Sequence, residues 1–139
     1  MRRFAACSLV LFLAAACASS RSDRPAGIAQ PDINAEAVGT VFFGSGSSAP
    51  ITLEVTVRNN AQTAIAIREV EISAPGMTTY TVRPVRRPFN ETIAAGDTRS
   101  VTLFSTAYTS VRDPAEPLTL RTIVTFEANG QRWREFVQR

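Results

Sequence analysis

Few side chains in this 139-residue chain could do chemistry, and their types exclude most reactions. There is no histidine, and all 15 basic residues are arginine, so lysine is missing too. General acid–base catalysis draws most often on histidine, and Ser-His-Asp, Cys-His and Ser-Lys arrangements are out of reach. Zinc and copper sites lose their usual ligands once His and free Cys are gone. Carboxylates remain. The closest group, Asp113 and Glu116 around Pro114, is too small for a calcium cage of about six oxygens, and it reads as a solvated turn. Two acids held roughly 5–9 Å apart could hydrolyse a glycosidic bond, yet no spacing in the sequence selects such a pair. The Gly44-Ser45-Gly46-Ser47-Ser48 run lacks the lysine and following helix of a phosphate-binding loop, so it reads as a flexible hairpin loop. No catalytic residue, metal ligand or cofactor is expected.

Two arginine groupings are better placed to bind than to catalyse. Arg83-Pro84-Val85-Arg86-Arg87-Pro88 carries three guanidinium groups on a proline-stiffened segment. Such groups grip phosphates or carboxylates bidentately. The same composition also suits an edge strand, where proline and charge block edge-to-edge pairing. Arg83, Arg86 and Arg87 are therefore candidate partner contacts, expected to be exposed and not all consumed by internal acids. Arg132-Trp133-Arg134 places an aromatic between two cations. In a regular hairpin Trp133 would face Phe126, which points to core packing rather than ligand stacking.

The remaining reactive residue is a thiol. Arg2 and Arg3 precede residues 4–16, a run of 13 with no charge and one polar side chain, Ser8. A spanning helix needs about 20 apolar residues, so the run fits the h-region of an export signal. Leu13-Ala14-Ala15-Ala16-Cys17 resembles the lipobox of bacterial lipoprotein precursors, through Ala15, Ala16 and Cys17. That resemblance implies a diacylglyceryl group on Cys17, cleavage before it and acylation of the new amine. Ordinary secretory cleavage is the other reading, since Ala14-x-Ala16 and Ala16-x-Ala18 both fit an A-x-A site. In a double-membraned bacterium, Ala18 in place of an aspartate implies the outer membrane. Cys7 would leave with the signal, so the mature chain would hold no disulfide. Removing Arg2 and Arg3 leaves 13 arginines against 12 acids. A net charge this small gives no reason to expect a nucleic-acid partner.

The elements that must position these residues are strands. Residues 18–31 are small, polar and broken by Pro25, Gly27 and Pro31, as in a tether. Residues 51–58 alternate apolar and polar, as a half-buried strand does. Ile65 and Ile67 keep one phase and Val70 and Ile72 the other, so Arg68-Glu69 should mark a bulge or a change of sheet. Residues 78–83 and 98–108 read as strands. Residues 118–127 and 132–138 form a hairpin across Asn129-Gly130, the strongest short hairpin signal. With residues 37–43 as the first, seven strands are expected at sandwich spacing.

Residues 51–58 running into Asn59-Asn60, the Ile65-x-Ile67-x-x-Val70-x-Ile72 pattern and Ile93-Ala94-Ala95-Gly96-Asp97 resemble small bacterial lipoproteins with an immunoglobulin-like or fibronectin-III-like domain. Late-embryogenesis-abundant type 2 domains are a weaker likeness. The expectation is an all-β, two-sheet antiparallel sandwich over 32–139, after a signal at 1–16 and a lipidated, flexible segment at 17–31. Its expected role is that of a lipid-anchored, non-enzymatic binding or scaffolding module on the periplasmic face. The membrane, through Cys17, and another envelope protein or an anionic envelope component are the expected partners. The alternatives are a soluble secreted inhibitor or chaperone, and a carboxylate-based hydrolase.

Overall fold

Period-two alternation builds this domain, and one face of nearly every strand is apolar. The structure, a computed structural model, describes residues 23–39, 41, 43, 47–75, 79–109 and 118–139. Among these residues there are eight strands: β1 (Asp32–Val38), β2 (Ser48–Arg58), β3 (Ile65–Ser73), β4 (Tyr80–Val82), β5 (Val85–Ile93), β6 (Thr98–Thr109), β7 (Arg121–Ala128) and β8 (Gln131–Gln138). They form two four-stranded antiparallel sheets, ordered β1-β2-β6-β4 and β5-β3-β7-β8. The expected two-sheet sandwich is thus the observed architecture. Two corrections apply to its strands. The first lies at Asp32–Val38 rather than 37–43, and the count is eight because β5 is a full strand.

The inner faces close one core. Leu53, Val55 and Val57 from β2, with Val101 and Leu103 from β6, meet Ile67, Val70 and Ile72 from β3 and Val124 and Phe126 from β7. Phe126 pairs directly with Trp133 across the last hairpin, and their rings stack at 5.4 Å. The hairpin turn holds Asn129 at φ 53° and Gly130 at φ 75°, the left-handed pair that a two-residue type I′ turn requires. The turn chemistry therefore fixes the register that seats Trp133.

Two polar features tie the ends of the sandwich together. Asn59, fully buried after β2, donates through Nδ2 to the carbonyls of Thr63, Ile93 and Ala94, and its Oδ1 accepts from the Ala61 amide. It cross-links the β2–β3 and β5–β6 loops. Residues 23–31, expected as part of a tether, lie against the domain. Ile28 packs on the core, Pro31 is buried, and Arg24 reaches Glu135 of β8 at 2.8 Å. Residues 1–22, with the apolar run and Cys17, lie outside the described residues.

Candidate functional site

The bulge in β3 turns two charged residues onto one face of its sheet. Ile67 and Val70 are both fully buried, so the two residues between them break the alternation. The register shifts between Ile67 and Glu69 against both neighbouring strands, at the position expected from the phase change. Arg68 and Glu69 consequently both turn to the outer face of the β5-β3-β7-β8 sheet, where each finds an outward-facing ion partner. A regular strand would have put one of them in the core.

On that outer face four guanidinium groups from three strands border an open trough of about 610 Å³: Arg68 of β3, Arg86 of β5, and Arg132 and Arg134 of β8. Phe89 and Asn90 also line it, and Asn90 accepts a hydrogen bond from Arg68. Three glutamates lie among the arginines. Glu127 bridges Arg68 at 2.9 Å and Arg132 at 2.7 Å. Glu71 bridges Arg134 at 2.9 Å and Arg86 at 3.7 Å, while Glu69 takes Arg86 at 2.8 Å. Four cations against three anions leave one positive charge.

Donor arithmetic strengthens that bias. Each guanidinium has five N–H groups, far more than three carboxylates can accept. Arg86, Arg132 and Arg134 keep more than half of their side chains in water, at 68%, 67% and 58%. The Nε of Arg68 is buried without a partner among the described residues. The hydrogen bond from Arg86 holds the Glu69 carboxyl below the usual carboxylate range, and those from Arg68 and Arg132 do the same for Glu127. Glu69 and Glu127 thus stay ionised and hold Arg86, Arg68 and Arg132 in place. The arrangement can grip an anion; among the described residues no three acidic side chains converge as a metal site would need.

The three arginines singled out in the sequence are all exposed, but they do not converge. Arg86 joins the trough. Arg87 is paired with Val70, on the opposite face of β5, where its guanidinium lies 5.6 Å from the centre of the Phe89 ring. Arg83 precedes β5, its backbone bonded to Thr106 and Ser105 of β6. Arg86 is consumed by acids; no ion pair forms at Arg83 or Arg87 among the described residues. Among the described residues β5 is also an edge strand, pairing only with β3, and Pro88 removes one of its N–H donors. Edge position, proline and charge together fit the protected edge expected of this segment.

Arg68, Arg132 and Arg134 were legible only indirectly. Placing Trp133 inward forces its two neighbours outward, and the phase slip at Arg68 does the same there. No family model matches the chain, and no curated protein matches it. Several solved structures resemble its fold. A structural-genomics target designated SoR45 aligns over 78% of this chain and 83% of its own, at 9% identity and a TM-score of 0.49. A protein from Archaeoglobus fulgidus aligns over 78% and 90%, at 11% identity and a TM-score of 0.47. An ApaA-designated protein from Bordetella pertussis aligns over 79% and 89%, at 15% identity and a TM-score of 0.49.

Proposed function

We propose that this protein is a lipid-anchored cell-envelope protein whose sandwich is a non-enzymatic binding or scaffolding module facing the periplasm. The observation that carries the binding role is the convergence of Arg68, Arg86, Arg132 and Arg134 on one open trough. Its lining offers donors and positive charge, the chemistry of anion recognition. The anchoring role rests on Cys17 directly after an apolar run too short to span a bilayer. One acyl chain is held only marginally, whereas two give stable attachment, so a diacylated Cys17 would keep the module on the membrane.

The test is fractionation of cells expressing the wild-type chain or Cys17→Ser. Wild type stays with membranes through high-salt washing and incorporates labelled fatty acid. The variant loses the label and leaves the membrane fraction. Label retained in the variant, or wild type released by salt, overturns the anchor.

A further inference from the structure

Arg24 pins the N-terminal segment to β8. Its partner Glu135 is only 5% exposed and lies on the inner face of that strand, between Trp133 and Val137. Among the described residues β8 is an edge strand of its sheet. If the lipid sits on Cys17, as proposed above, only the six residues 18–23 separate it from the pin. Six residues span at most roughly 20 Å. That bound keeps the β8 side close to the headgroups.

This side carries the chemistry such a surface would meet. Alternation turns Arg132, Arg134 and Phe136 outward from β8, and Arg121 outward from β7 beside them. Phe136 is 48% exposed, with the Arg121 guanidinium 5.1 Å from its ring centre. Arg86 and Arg68 extend the cationic field across the trough. Five arginines face three glutamates here, whereas the mature chain as a whole would be nearly neutral. A protruding aromatic among guanidiniums suits the boundary between lipid phosphates and acyl chains.

We infer that the outer face of β7 and β8, through Arg121, Arg132, Arg134 and Phe136, docks on the phosphate headgroups of an anionic bilayer. The inference rests on the lipid-anchor reading, and the opposite sheet, with exposed Phe104 and Tyr108, then faces away from the membrane. The docked face fixes the orientation in which the module is presented.

The experiment imposes the anchor chemically, so its outcome is independent of whether cells acylate Cys17. The mature chain is coupled through the Cys17 thiol to maleimide-bearing lipid in phosphatidylglycerol nanodiscs doped with a paramagnetic headgroup, and backbone amide broadening is mapped by NMR. Broadening centred on 121–125 and 132–136 is expected, with the outer face of β2 and β6 spared. Separately, the Cys17→Ser mature chain is titrated with phosphatidylglycerol vesicles. Each arginine at such a surface contributes about fivefold, so Arg121→Gln/Arg132→Gln/Arg134→Gln should weaken binding roughly 100-fold. Phe104→Ala should not weaken it. Broadening that is uniform or centred on Phe104 overturns the inference. So does a response to millimolar inorganic phosphate that matches the response to vesicles, which would make the trough a free-anion site.

Discussion

Asn59 is a polar side chain with no exposure, and its amide serves three carbonyls from two loops. Asn59→Ala strands those groups and the Ala61 amide, so urea unfolding should register a loss of about 2–4 kcal/mol. Asn59→Asp, which sets a carboxylate against the same carbonyls, should cost more. A change under about 0.5 kcal/mol in either variant would mean the loops hold themselves. Arg24 and Glu135 make a comparable residue-scale case. Arg24→Gln leaves a nearly buried carboxylate without its cation, and a loss of roughly 1–3 kcal/mol is expected. Glu135→Gln should reduce that loss when combined with it, as a double-mutant cycle in denaturant would measure. Neither residue announces itself in the sequence. Asn59-Asn60-Ala61 has the composition of any exposed loop, and two of the three carbonyls that bury Asn59 lie 34 and 35 residues away. Arg24 sits in a stretch whose prolines and small residues look unstructured, and its partner is 111 residues distant.

The strands whose alternation is clean were legible, because one buried face leaves a period-two record. The β3 bulge, the Asn129-Gly130 turn and the Phe126–Trp133 pair follow from local phase and turn chemistry alone. β5 left no such record. As an edge strand it buries little, and Arg86, Arg87 and Pro88 occupy both of its faces. Of the trough only Arg86 was singled out in the sequence as a candidate contact; its convergence with Arg68, Arg132 and Arg134 needs β5, β3, β7 and β8 in one sheet, which no local pattern records. The charges on this sheet predict a pH response. Glu69 and Glu127 titrate below their ordinary 4.5 because arginines hold the ionised forms. Folded values lowered in this way stabilise fully above about pH 4.5, and the contribution is lost as pH falls through the lowered values. Urea midpoints should therefore decline on acidification below that point. The decline should shrink in high salt, because these carboxylates are only partly buried; a decline unaffected by Glu69→Gln/Glu127→Gln would contradict the assignment. The edge itself makes a further prediction. Arg87→Val/Pro88→Val restores an N–H and removes a charge from the inner face of β5. Analytical ultracentrifugation should then detect association that wild type lacks, and a monomeric variant would show that the edge is protected by something else.

At the scale of the whole molecule, a sandwich and an arginine-lined trough stand seven residues from Cys17, counted from Arg24. The sandwich needs no disulfide, and its two inner faces supply the core. In the proposed function the trough would bind an anion, and the Arg24–Glu135 pin would limit how far that face strays from a lipid on Cys17. Orientation, exposure of the opposite sheet and resistance to salt release all depend on that anchor. The most direct measurement is the mass and sequence of the N-terminal peptide from the mature protein, extracted from membranes of the producing cell. The account predicts a chain beginning at Cys17, its thiol carrying diacylglycerol and its amine an acyl group. A mature chain beginning with unmodified Cys17, or at another residue, recovered in a soluble fraction would contradict it.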